Sequence, residues 1–282
     1  MSYLMYNSET DIKVERDYLE NLQTPKPMGS RHAPYPFYSF ATDTVRAIED
    51  AGFAVTQEDY AITKDEQRLF GLLNVSRPKD STLETSLYVG ESDSSFGVPV
   101  PVPVADLHKP DWNMLVALRG SHDQSVSRGL AIGSHVIICS NLCFHGDLGN
   151  WNSKQTTHIS HRIPEMVADA VAGLGNARQR LTVDFDKFNT QQITRDQGDN
   201  VLLDIFRSGG FSPSQLGRAI TDWDKCSVEE HTANGRNVWW LFNSATHALK
   251  PTGRNINHAD VQHRSTIVYN KVATGARQLL AA

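Results

Sequence analysis

The residue types most able to do chemistry gather in one run, LRGSHDQSVSRGLAIGSHVIICSNLCFHG, from Leu118 to Gly146. Ser121, His122 and Asp123 are the three types of an acyl-transfer triad; Cys139, Cys143 and His145, with His158 and His161 beyond, are thiolate and imidazole groups of the kind that hold zinc. A triad needs side chains that converge on one proton path. Neighbours on a strand or turn point different ways, so Ser121, His122 and Asp123 do not make one by themselves. Ser and Asp in such a run bond nearby backbone, and GSHDQS is expected to be a turn that braces the fold. Cys-x3-Cys-x-His is not a usual zinc spacing and cysteine is often buried, so Cys139 and Cys143 are expected as buried thiols, with no metal and no other cofactor. No G-x-S-x-G, HExxH, Walker A or GxGxxG motif occurs, and the expectation is a protein that is not an enzyme. The alternative is a metal-dependent enzyme acting on nucleic acid through the Cys/His cluster.

Charge points elsewhere. Residues 1–150 hold 12 Lys/Arg against 20 Asp/Glu, whereas His231 to Ala282 holds six basic residues and a single acid, Asp260. A basic tail on an acidic protein suits a polyanion or an acidic protein surface. Single strands are held by cations that track phosphates and by aromatic faces on which bases stack. SRHAPYPFYSF interleaves Arg31 and His32 with Tyr35, Phe37, Tyr38 and Phe40, and GRNVWWLF places Arg236 beside Trp239 and Trp240. The expected contacts to nucleic acid are Arg119, Arg128, Lys154, Arg162, Arg236, Lys250, Arg254, Arg264 and Lys271. Arg264 and Lys271, two turns apart, would share one side of the last helix. Competing readings make Trp239 and Trp240 core, pack the aromatic arm on the body or on another subunit, and use the basic tail to dock an acidic protein, as an interaction or anti-defence factor would.

These residues need elements to position them. Pro25, Pro27, Pro34 and Pro36 predict an extended arm over residues 1–40, followed by a single α+β domain over 41–282. A short helix is expected from a Thr42 cap to Gly52. FAVTQEDYAITKDEQRLFGLLNV and STLETSLYVGESDSS alternate like strands, GVPVPVPVADL reads as a blunted edge strand or strap, and WNMLVALR and RGLAIGSHVIICSN read as a hairpin about GSHDQS. After about residue 160 the period becomes helical, through IPEMVADAVAGLGNARQRL, NVLLDIFRSGG, VWWLFNSATHAL and HADVQHRSTIVYNKV. Ser212, Pro213 and Gln215 form a capping-box start. The fold class is therefore α+β, a β-rich first half with an antiparallel sheet and then a helical second half.

The 282 residues are 39% hydrophobic and 21% charged, and no apolar run reaches the roughly 18 residues of a membrane span. With an acidic N-terminus and three cysteines, the expectation is a cytoplasmic protein with reduced thiols and no membrane contact.

GSHDQS, with VIICSNLCF about a dozen residues on, is similar to the Asn-Ser-His-Asp-Gly-Ser and Val-Cys-x-Asn-Gly pair of domain-of-unknown-function family 932, found in phages and plasmids. The likeness runs over roughly residues 40 to 275 and is specific at Ser121, His122, Asp123, Cys139, Ser140 and Asn141. Gly120, Gln124 and Leu142 depart from that pattern, standing where the family has Asn, Gly and often Gly. Some proteins of N4-related phages that resemble this chain imply a single-stranded-DNA-binding cofactor of phage RNA polymerase; the expected role is in phage transcription or replication, in the host cytoplasm, with a homo-oligomer among the expected partners.

Overall fold

The computed structural model describes residues 11–76, 112–136, 141–144, 150–153, 156–226, 235–250 and 258–280. The alternating segments form an antiparallel sheet from β1 (Asp11–Val14), β2 (Ala54–Thr63), β3 (Arg68–Ser76), β4 (Trp112–Ser121), β5 (Arg128–Val136), β6 (Asn141–Phe144) and β7 (Asn150–Ser153). Strands β1 to β6 lie in sequence order; β6 and β7 share the far edge of β5, β7 along its first half and β6 along its second. The expected β4–β5 hairpin is present, and β2 and β3 form another. The runs STLETSLYVGESDSS and GVPVPVPVADL lie outside the described residues.

Alternation divides the sheet into two faces. Tyr60, Ile62, Leu69, Leu73, Val116, Leu118, Leu130 and Ile132 point to the main core, whereas Ala61, Leu72, Leu115 and Ala131 make a small second cluster on the other face. Register puts Tyr60, Gly71, Leu118 and Leu130 in one cross-strand row. Gly71 leaves the room they need: a Cβ there would stand 2.8 Å from both the Leu118 and the Tyr60 side chains.

Helices cover the main face: α2 (Phe37–Asp50) on β2 and β3, α3 (Ile159–Ala172) on β5 and β7, and α7 (Val238–Ala248) and α8 (His258–Leu280) on β6. Helices α4 (Leu174–Thr190), α5 (Arg195–Arg207) and α6 (Pro213–Asp224) complete the second half. The fold is the α+β arrangement expected, strands first and helices after. Phe185 joins the layers: its ring meets Trp112 of β4 at 5.1 Å, Trp239 at 5.2 Å and Phe242 at 5.4 Å. Burying each such ring contributes roughly 1.5–3 kcal/mol.

Three expectations about boundaries change. The stretch expected as an arm carries β1, α1 (Arg16–Glu20) and the first turn of α2. Leu19, Phe37 and Phe40 are core residues, so apolar burial ties residues 11–40 into the domain. Helix α2 begins at Phe37 rather than after Thr42, because Phe37, Phe40, Ala41, Thr44, Val45 and Ile48 form one buried stripe that starts behind Pro36. The run from Ile163 is two helices, broken at Gly173, where the Trp151 ring passes 3.5 Å from the place a Cβ would take.

Candidate nucleic-acid interface

The β4–β5 turn is built by its own side chains. Ser121 Oγ accepts from the Val126 N–H (3.1 Å) and donates to the Val126 carbonyl (3.0 Å), closing the loop across five residues. Asp123 accepts from the Ser125 N–H at 2.9 Å and from its hydroxyl, and pairs with Arg68 at 3.3 Å. Gln124 takes the left-handed φ of 62° that lets the chain reverse. Burial pulls the Asp123 carboxyl upward, but the Ser125 and Ser121 hydrogen bonds and the Arg68 charge outweigh it and hold the group at about 2. GSHDQS is the turn expected, with Asp123 bonding backbone.

His122 turns the opposite way. Its ring is buried and stacks on Phe37, centroids 3.9 Å apart and planes 22° from parallel. Ser121, His122 and Asp123 therefore do not converge. Burial, then the neighbouring Arg128 and His32, push the imidazole down to about 4, against a weaker opposing pull from Asp123.

Beside His122 lies Arg128, the residue whose placement departs furthest from expectation. Expected to face a ligand, it is 0% exposed and points into the main core. Its guanidinium carbon sits 5.0 Å from the Phe37 ring, 5.6 Å from Phe40 and 5.8 Å from Tyr35, and Nη2 donates to the Tyr35 carbonyl. Nη2 also lies 3.5 Å from His122 Nδ1. Nε and Nη1 have no hydrogen-bond partner, and among the described residues no carboxylate pairs with the group. Burial lowers its pKa to about 9, which leaves it cationic at neutral pH. Gly120, across the strand pair, makes the room, since a Cβ there would meet Arg128 Cγ at 2.9 Å.

Next to this centre opens a cleft of about 670 Å³, between the 28–32 loop, the turn residues Gln124, Val126 and Ser127, and Thr156 just before α3. Its polar wall consists of Ser30, Arg31, His32, Gln124, Ser127 and Thr156. Among the described residues that line it there is no carboxylate. Arg31 is exposed, whereas His32 is buried and accepts from the Met28 N–H at Nδ1 (3.0 Å), which places its ring proton on Nε2.

The remaining expected contacts are scattered. Arg119 stands on the face of the sheet away from the helices and donates to Asn152 at 3.0 Å. Arg162 is exposed in the first turn of α3. Arg236 is clamped over Trp223 and Trp240, 4.8 and 5.0 Å from their centroids, so GRNVWWLF is core rather than a stacking platform. Trp239 and Trp240 are both buried. Lys250 accepts from Arg218 at its carbonyl, Arg264 donates to Gln215 at 3.2 Å, and Lys271 pairs with Asp204 at 2.9 Å. Lys154 and Arg254 lie outside the described residues, as do Cys139 and His145. Cys143 is buried, donates its thiol to the Ser265 carbonyl at 3.4 Å and is pushed well above the usual thiol range by burial. Among the described residues, no three His, Cys, Asp or Glu side chains gather as metal ligands would.

Arg31 and His32 were singled out by their aromatic neighbours in the sequence, but Gln124, Ser127 and Thr156 carried no signal that they would join them. No family model, curated protein or solved structure matches the chain. Among the described residues, no helix is long and apolar enough to cross a membrane.

Proposed function

We propose that this chain is a non-enzymatic binder of single-stranded DNA, and that the strand meets it at the Arg31–His32 cleft rather than along α8. The observation that carries the reading is the composition of the cleft wall, in which, among the described residues, one exposed arginine, one histidine and neutral donors stand together without a carboxylate. A phosphate chain is repelled by carboxylates and held by such donors. The exposed Arg162 follows Thr156 as a further cation. Helix α8 is the poorer candidate because Arg264 and Lys271 already have partners within the protein.

Action as a cofactor of phage RNA polymerase rests on the likeness of GSHDQS and VIICSN to the phage proteins and is proposed on that ground alone; a role in replication, the host cytoplasm and a homo-oligomer are proposed beside it. The test is fluorescence anisotropy with labelled oligothymidine and a duplex of the same length, titrated with salt. Affinity for the single strand should fall log-linearly with salt, with a slope of several phosphates, and Arg31→Glu should weaken it by about tenfold or more. Preference for duplex, or binding indifferent to salt, would refute the reading.

A further inference from the structure

The buried Arg128 is not explained by strand binding alone. A desolvated guanidinium costs several kcal/mol unless something compensates it, and proteins ordinarily supply a carboxylate. Here the compensation is three aromatic faces, one carbonyl and a histidine nitrogen, and among the described residues the charge has no counter-charge. Such a charge, walled by low-dielectric rings, projects a positive field through its surroundings with little screening. The connection to the cleft runs through side chains: Arg128 lies against His122, and His122 is close enough to His32, in the cleft wall, for the two to interact electrostatically. Asp123, the carboxylate in the turn, is engaged by Ser125 and Arg68.

We propose that the cleft is an oxyanion site for one phosphate group, with Arg31 as the direct cation, the Thr156 hydroxyl as a neutral donor, and Arg128 as the buried charge that holds the anion without touching it. This deepens the strand-binding reading and rests on its choice of cleft. The phosphate can be a diester of the strand or a free phosphate; the chemistry recognised is the same. Arg128 is a positioning residue, so its effect depends on its charge rather than its shape.

The probes are inorganic phosphate, an abasic deoxyribose-phosphate oligomer and oligothymidine, each titrated calorimetrically into the full chain and into Arg31→Gln, Arg128→Met and Arg128→Lys. Arg31→Gln should weaken phosphate and the abasic oligomer about tenfold and reduce the salt slope for oligothymidine by about one. Arg128→Lys should stay within about threefold of the parent chain, whereas Arg128→Met, which removes the charge, should lose about tenfold. Should Arg128→Met fail to fold, Arg128→Gln serves as the uncharged variant, and its affinity set against that of Arg128→Lys decides the role of the charge. Oligothymidine binding with no effect of Arg31→Gln on any probe would overturn the phosphate site and leave strand binding standing. Phosphate binding that needs Arg31, with no affinity for oligothymidine, would keep the site and remove the strand. Phosphate affinity unchanged in a folded Arg128→Met would overturn the role of the buried charge.

Discussion

Lys271 of α8 reaches Asp204 of α5 at 2.9 Å, so a cation that the sequence offered to DNA is engaged in joining two helices. Both partners are partly exposed, and such pairs are worth about 0–1 kcal/mol. Lys271→Ala should therefore shift the thermal midpoint by no more than a degree or two and change oligothymidine affinity less than about twofold. A tenfold loss of affinity with an unchanged midpoint would return the DNA to α8.

Gly198 of α5 lies under the indole of Trp223, which is fully buried and donates from Nε1 to the Arg195 carbonyl at 3.3 Å. A Cβ at Gly198 would come within 2.3 Å of the ring. Alanine is the better helix former by about 1 kcal/mol, yet overpacking costs about 1–3 kcal/mol, and the rigid ring has no free end to yield. Gly198→Ala should lower the urea midpoint and shift tryptophan emission to the red. A midpoint equal to or above the parent's would show that the α5–α6 contact can relax.

What the sequence disclosed follows how local each signal is. Ser212 and Gln215 bond each other's backbone N–H groups across three residues, and that capping box was legible in advance. Thr194 and Gln197 form a second one that escaped notice, because Thr-Arg-Asp-Gln reads simply as a polar run. The β4–β5 hairpin was legible because alternation is a property of neighbours. Arg128 was not: its cage comes from Tyr35, Phe37 and Phe40, about ninety residues earlier, and an arginine opening a strand looks like an exposed end. The cleft was half legible for the same reason. Arg31 and His32 stand in an aromatic run, but only tertiary packing brings Gln124, Ser127 and Thr156 to them.

His122 and His135 give the fold an acid-sensitive side. His122 is pushed down to about 4 by burial, Arg128 and His32, and His135 to about 4 by burial and then Lys250. In the unfolded chain both titrate near 6.5. Above that pH both states are neutral and the full stability is present. Between about 6.5 and 4 the unfolded chain takes up protons that the folded chain refuses, so stability falls with pH through this window, by on the order of 1–3 kcal/mol for each ring. Asp123, held at about 2, adds its own loss only at lower pH. Urea midpoints at pH 7.5, 6 and 4.5 should decline steadily, and equal midpoints would contradict the burial of these rings as neutral groups.

Cys143 should be chemically silent in the native state. It is 2% exposed, its thiol donates to the Ser265 carbonyl, and burial disfavours the thiolate that attacks reagents. Mass spectrometry after brief treatment with a maleimide should find Cys143 unmodified in the native protein and modified in urea. Native labelling at Cys143 would mean that the contact between β6 and α8 opens readily.

Arg128 distinguishes a residue kept for stability from one kept for its charge. If its worth lay in holding the fold together, removing the guanidinium should be costly however the space is refilled. Tyr35, Phe37 and Phe40 surround it with apolar rings, and the pairing it gives up is one hydrogen bond to the Tyr35 carbonyl and a long contact to His122. A side chain of similar reach without charge would fill the same space with no desolvation cost, and replacing buried ionic groups by well-packed apolar ones is often neutral or stabilising by about 1–4 kcal/mol. Arg128→Met should accordingly keep or raise the urea midpoint, offset in part by the orphaned Tyr35 carbonyl. Arg128→Ala leaves a void among the three rings and should cost about 2–5 kcal/mol. Equal losses in the two variants would show that the charge itself supports the fold; a stable Met variant beside a weakened Ala variant would show that the packing is structural and the charge is available for binding.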